Sequence, residues 1–348
     1  MRSRTIIATP PGVTIKEQLE DRGMTQKEFA VRMDMSEKHI SKLINGEVRL
    51  TPMVAYRLES VLGISASFWN NLEARYQEKK TMAEEENAMD ADIEIAKQIP
   101  YAEMVKAGWI EKSRTTYEKV LHLRKYFEVS RLEVIEKLPV SGVAYRKLST
   151  DDKSRYALAV WIQKARIEAR SIQTSPLNLR KLRELLSEIR RLTMEPQDTF
   201  FPKLTAMFAE CGIAMVILPH MKGSFLHGAS FYDGNKVVMG LTIRNRDADR
   251  FWFSLFHEVD HILEGHIGKQ EGPTEEDERH ADTFAEDTLI PRTDYVRFVN
   301  AHHFDETSIL LFSEKIDIDP GIVVGRLQND SILQFSQFNG LKRQYFLV

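Results

Sequence analysis

Residues 253–266 read FSLFHEVDHILEGH, with His257 and His261 four apart around Glu258. Four residues is slightly more than one helical turn, so both imidazoles would project from one helix face. The segments FWFSLF before the motif and ILEGH after it make an apolar helix long enough to hold them there. Two neutral imidazoles in that geometry can bind Zn²⁺ through ring nitrogens and leave Glu258 beside an open fourth position. Zinc lowers the pKa of its water to about 7, and Glu258 could take the proton as that water attacks a carbonyl. The blander reading is a buried helix with satisfied histidines.

A third ligand decides between these readings. Downstream, EEDERHADTFAEDTLIP (275–291) carries Glu278 and Asp282 at i and i+4 of a second helix. At that spacing one carboxylate can bind metal while the next orients a ligand histidine. Competing donors are Glu264, His266, Glu275, Glu276 and His280. His280 lies about 200° around the helix from Glu278, so the two cannot easily share a metal.

The other end of the chain has a different texture. In MTQKEFAVRMDMSEKHISKLINGE (24–47), Thr25 is an N-cap with Glu28 three residues on, a capping box. Ala30 is small enough for a close helix crossing, DMS makes a turn, and Ser36 caps the next helix. Ile40 and Leu43 face inward, and Asn45-Gly46 stops the helix. Two short helices joined by a tight turn make a helix-turn-helix. Residues 12–76 resemble the Cro/cI-type (XRE) regulators, and within them HigA-like antitoxins, through TQKEFA, SEKHISKLINGE and LTPMVAYRLESVLGISASFW. The resemblance implies that Glu37, Lys38 and Lys42 face base edges while Gln26, His39 and Ser41 approach phosphates. Docking to protein rather than DNA is the alternative for such a module.

At 348 residues the chain has room for two or three domains. Charge is uneven: 13 Lys/Arg against 10 Asp/Glu in 1–80, 21 against 19 in 81–200, and 14 against 22 in 201–348. A basic stretch, 146–191, has 12 Lys/Arg and 5 Asp/Glu and reads as a solvated helix face or as a contact for an anionic partner. The charged run 77–92 reads as a linker, and helical periodicity dominates 93–193. Strands are expected at 212–219, 228–233 and 236–243, the last two a hairpin around Gly234-Asn235, with a final strand near SILQFSQF. The fold class expected is mainly α with a small β-sheet (α+β). Its domains would be a helix-turn-helix bundle over 1–80, a linker and helical domain over 81–200, and a zincin-like domain over 201–348. One cysteine, Cys211, allows no intramolecular disulfide and reads as core, as do Trp161 and Trp252; His302-His303 read as a helix end. With no signal-like or membrane-spanning stretch, a cytoplasmic protein is expected.

The C-terminal third resembles the ImmA/IrrE zinc metallopeptidases, through LTAMFAECGIAMVILP, FWFSLFHEVDHILEGH, ERHADTFAEDTLIP and PGIVVGRLQ. The resemblance implies Zn²⁺ on His257, His261 and Glu278, with Glu258 catalytic. It departs at Asp260, where the family usually has glycine. Taken together, the sequence reads as a homodimeric operator-DNA-binding regulator whose peptidase domain cleaves a regulatory protein under stress or phage-related signals. The rival reading is an antitoxin-like repressor that binds a toxin partner, with a non-catalytic peptidase fold.

Overall fold

The structure, a computed structural model, describes residues 2–3, 5–138, 152–222, 224, 227–243, 247–269 and 272–346. Its contacts divide the chain into two units, Met1–Ile93 and Glu94–Val348, with no division near residue 200.

The first unit is helical: α1 (Pro11–Asp21), α2 (Gln26–Arg32), α3 (Glu37–Ile44), α4 (Pro52–Leu62) and α5 (Ala66–Asn87). Four hydroxyl N-caps start these helices: Thr25, Ser36, Thr51 and Ser65 each accept from a backbone N–H three residues on. The capping box at Thr25 is only half made, because the Glu28 carboxylate accepts from Arg32 at 2.7 Å. Phe29, Ala30, Ile40, Leu43, Leu58 and Trp69 close a common core. Gly12 lets α1 meet α3, since a Cβ there would lie 2.0 Å from the Ile44 carbonyl oxygen.

The run expected as a linker, 77–92, ends where the two units divide at Ile93, but it is largely helical. Residues up to Asn87 continue α5, with Tyr76 and Ala83 buried. Glu86 is buried too, accepting from the Thr5 hydroxyl at 2.9 Å and from Ser3. Its Glu, Lys, Ala and Met residues are strong helix formers, which the charge count concealed.

The division between the units falls within α6 (Asp90–Gln98), and the second unit continues with α7 (Tyr101–Lys106), α8 (Thr116–Phe127), α9 (Asp152–Ala169), α10 (Leu179–Arg191) and α11 (Gln197–Glu210). Three strands come next: β1 (Ile213–Leu218), β2 (Gly228–Asp233) and β3 (Lys236–Thr242), in spatial order β1-β3-β2. β2 and β3 form the expected antiparallel hairpin, Gly228 opposite Leu241, with Gly234 at φ 61°; β1 runs parallel to β3. Alternation along β3 sorts its faces. Val237, Met239 and Leu241 join the main core, whereas Gly240 faces Trp161 of α9. The central helical region therefore packs on the sheet.

The basic groups of this region are largely paired within the chain: Arg166 with Asp233, Arg170 with Glu128, Lys181 with Glu210 and Arg183 with Glu264. Residues 146–151 of the basic stretch lie outside the described residues.

The histidine motif lies on α12 (Ala248–Leu263), followed by α13 (Glu275–Leu289), α14 (Arg292–Asn300), α15 (Glu306–Ile316) and α16 (Pro320–Asn329). Ala248, Phe251, Trp252, Leu255, Phe256, Val259, Ile262 and Leu263 bury one flank of α12 at helical spacing. Trp252 donates to the Tyr345 hydroxyl at 2.7 Å within a cluster that includes Phe200 and Phe251. The strand expected near SILQFSQF does not form: a turn inside it, in which Gln337 N–H donates to the Gln334 carbonyl at 3.0 Å, breaks the extended run, and Ser331 and Phe338 at its ends sit at φ 61° and 56°. Cys211, Trp161 and Trp252 are buried, and His302-His303 follow the end of α14.

The Gly240–Trp161 contact gives a test of this packing. A Cβ at Gly240 would approach the Trp161 ring to 2.6 Å. Gly240→Leu should cost about 1–3 kcal/mol in urea unfolding of the full chain through overpacking. An unchanged midpoint would contradict the placement of α9 on β3.

Candidate metal centre and helix-turn-helix surface

The α12 helix presents His257 and His261 toward α13, and their Nε2 atoms are 3.0 Å apart. Glu278, in the first turn of α13, places Oε2 at 3.3 Å from His257 Nε2 and 3.6 Å from His261 Nε2. One donor atom from each of these three residues lies within 4.8 Å of the others. Two imidazoles and a carboxylate converging on one point are a donor set suited to Zn²⁺.

Their remaining nitrogens are also engaged. His257 Nδ1 meets Asp282 Oδ1 at 2.9 Å, one turn beyond Glu278. His261 Nδ1 meets His266 Nδ1 at 3.0 Å, His266 Nε2 lies 3.2 Å from Asp277 Oδ1, and Lys269 donates to Asp277 Oδ2. These contacts fix one consistent tautomer assignment. With Nε2 of both ligands free to bind metal, His257 Nδ1–H donates to Asp282 and His261 Nδ1–H donates to His266. His266 must then carry its proton on Nε2 and donate to Asp277. Burial pushes the His266 imidazole down, toward the neutral form this role requires. Asp277 also caps α13 in a box with Thr274, so the start of the helix carrying Glu278 is tied through His266 to His261.

Glu258 is buried, at 6% exposure, on the side of α12 that meets β2. Gly228 permits this approach: a Cβ there would come within 2.9 Å of Glu258 Oε1. Burial pushes the Glu258 carboxyl up, opposed by His257 and His261. The two histidines hold the Glu278 carboxyl well below the usual carboxylate range. Burial lowers the His257 pKa, but hydrogen bonds to Asp282 and Glu278, with the nearby Glu258 charge, outweigh it and raise it to about 10.

Among the competing donors, His266 is in the supporting chain just described, and His280 instead pairs with Asp260 at 2.9 Å. Asp260 is 1% exposed and sits inside this ion pair. Glu264 pairs with Arg183; Glu275 and Glu276 lie in the first turn of α13 and are not among the three converging residues. The sequence named His266 only as a rival ligand and missed Asp277 and Lys269. Histidine, lysine and aspartate in 266–277 were the available signal.

In the first unit, Ile40, Leu43 and Ile44 bury the inner face of α3. Glu37 and Lys38 are exposed, and His39, Ser41 and Lys42 half-buried on the remainder; Gln26 is exposed at the start of α2. All six residues assigned to a nucleic-acid surface are thus at least partly open to solvent.

Residues 15–69 match the family described as Helix-turn-helix. Over 80 residues the chain is 34% identical to a protein of Escherichia coli (strain K12) described as the uncharacterized HTH-type transcriptional regulator YddM, an alignment covering 23% of this chain and 81% of that one. The chain belongs to this helix-turn-helix family. A solved structure of an addiction module antidote protein of a HigA family from Coxiella burnetii aligns at 22% identity and a TM-score of 0.23, covering 24% of this chain and 94% of that one. Among the described residues no helix is long and apolar enough to cross a membrane.

Two outcomes follow from the centre's hydrogen bonds. With His257 raised to about 10, the metal-free protein holds a proton there at neutral pH. Zinc uptake at pH 7 should release about one proton from it, and affinity should rise as pH increases from 6 to 9. Calorimetry in buffers of different ionisation enthalpy reads this; proton-neutral uptake would contradict the assignment. Separately, Asp282→Asn should weaken zinc about 10–100-fold by loosening His257. Unchanged affinity in a competitive chelator titration would show that this contact does not support the ligand.

Proposed function

We propose that the chain is a DNA-binding transcriptional regulator whose second unit is a zinc-dependent endopeptidase acting on a regulatory protein. The convergence of His257, His261 and Glu278 beside buried Glu258 carries the peptidase reading. The resemblance of this region to ImmA/IrrE metallopeptidases supports it, as family membership and the open face of α3 support DNA binding. Operator DNA, a protein substrate and a homodimer are the partners this reading implies.

His257, His261 and Glu278 would hold the zinc, which when bound supplies Lewis acidity toward water and a peptide carbonyl. Glu258 accepts the proton of the attacking water at a carboxylate oxygen and returns it to the departing amide nitrogen. Its burial favours the protonated form between these transfers. Asp282 and the His266–Asp277 pair orient the imidazoles and keep their Nδ1 protons in place. Peptide backbone would align along β2, because β3 lies inside the sheet and β2 is its outer strand beside α12.

Glu258→Gln should retain zinc and DNA binding yet lose about 10²–10⁴ in cleavage rate. The assay is co-incubation of the zinc-loaded full chain with the products of neighbouring genes. Equal cleavage by parent and variant would sink the catalytic role. Parallel retention of every regulatory phenotype would leave the non-catalytic antitoxin-like reading as the better account. On the DNA side, Lys42→Ala should weaken specific operator binding by about 1–3 kcal/mol, and non-specific binding less. Equal affinity of the parent for operator and random duplex would contradict a sequence-reading regulator.

A further inference from the structure

The strand order β1-β3-β2 leaves two outer strands, and β1 is the one on the far side of the sheet from β2 and Glu258. Among the described residues, its backbone bonds only to β3. Residues of a parallel strand alternate, one turning its N–H and C=O toward the partner and the next turning them away. Of the neighbours Met215 and Val216, one therefore faces outward, and both are at most 5% exposed. Buried backbone groups are almost always paired, so this edge carries donors and acceptors that call for a partner. Just before β1 the chain provides such partners itself: Asn178 N–H donates to the Cys211 carbonyl, and the Leu177 backbone lies against Gly212. From Met215 onward no described residue does so. Outer strands are commonly blunted by a charge, a proline or a bulge, and IAMVIL (213–218), in unbroken register with β3, has none of these.

A groove of about 450 Å³ runs along residues 215–218 of β1 and is bounded by the 107–109 turn after α7 and by Lys164 and Ile172. Those strand residues span about 13 Å, the length of one short strand. Val216 pairs with Gly240, which faces Trp161, so Ala214, Val216 and Leu218 point to the α9 side. A strand added alongside would point every second residue the same way, into the space lined by Trp109 and Ile172. The charges there are already matched: Lys164 pairs with Glu168 at 2.5 Å and lies 6.0 Å from the centre of the Trp109 ring. An apolar side chain would displace no ion pair, whereas a charged one would find no free counterpart.

We propose that the outer edge of β1 is a docking site for an extended, uncharged segment of another protein, which joins the sheet as a fourth strand. Backbone hydrogen bonds supply the affinity, and the Trp109 side of the groove selects apolar or β-branched residues. The site is separate from β2 and does not depend on the metal. A second copy of this chain does not fit as well, because its own sheet would need the space beyond the first added strand, where the 107–109 turn stands.

The probe is the peptide acetyl-Lys-Val-Thr-Val-Thr-Val-Lys-amide, fluorescently labelled and titrated with the full chain. Its binding should slow amide exchange over residues 213–218. The same peptide methylated on its valine and threonine nitrogens keeps the side chains but loses the donors, and should bind about 10–100-fold more weakly. Ser171→Trp, at an exposed residue of the lining, should block the unmodified peptide, and Trp109→Ala should weaken it by removing the ring it packs on. A dissociation constant above about 1 mM, equal binding of the methylated peptide, or binding that neither variant weakens overturns the proposal. Protection confined to β2 also overturns it, and so does a dimer of the chain that Ser171→Trp dissolves, which would assign the edge to a second copy.

Discussion

Two imidazole nitrogens, His257 Nε2 and His261 Nε2, stand 3.0 Å apart, a distance at which two N–H groups would repel. Since His261 donates through Nδ1 to His266, its Nε2 must accept, and in the metal-free protein the shared proton belongs to His257. That proton occupies the place of a cation. Around it Asp282, Glu278 and Glu258 supply negative charge, so the site favours whatever positive species binds both nitrogens. In the proposed reading a divalent ion would do this more completely than a proton and would take Glu278 as a further ligand. The surrounding fold serves to keep these nitrogens together.

The fold achieves this by burying one flank of α12 on β2, β3 and the aromatic cluster at its start while the other flank meets α13. Rotating α12 by one residue would turn the imidazoles about 100° away from Glu278 and expose part of the apolar flank. The Phe200–Trp252–Tyr345 cluster resists that rotation. The capping box of α13 contributes a second restraint, because Asp277 both starts the helix and ends the hydrogen-bond chain from His261. Stability and metal geometry are coupled through that one carboxylate.

Much of this was legible in the sequence. The i,i+4 spacings of His257/His261 and Glu278/Asp282 are local, and helix geometry alone puts each pair on one face. Hydroxyl caps at Thr25 and Ser36 marked α2 and α3 for the same reason. What depended on distant pairing was hidden. Asp260 had no visible partner in the sequence until His280 faced it from α13, and Asp277 had no role until His266 stood between it and His261. The 77–92 run misled because charge density resembles a linker, while Glu86 is held by the distant Ser3 and Thr5.

X-ray absorption at the zinc edge of the full chain, loaded with one equivalent of metal, tests the central claim most directly. The account predicts a shell of nitrogen and oxygen at ~2.0–2.1 Å with outer scattering from two imidazoles and no sulfur near ~2.3 Å. His261→Ala should reduce the imidazole scattering to a single ring. A spectrum with fewer than two imidazoles in the parent, a sulfur shell, or zinc that dissociates on desalting would contradict a metal centre built on His257, His261 and Glu278.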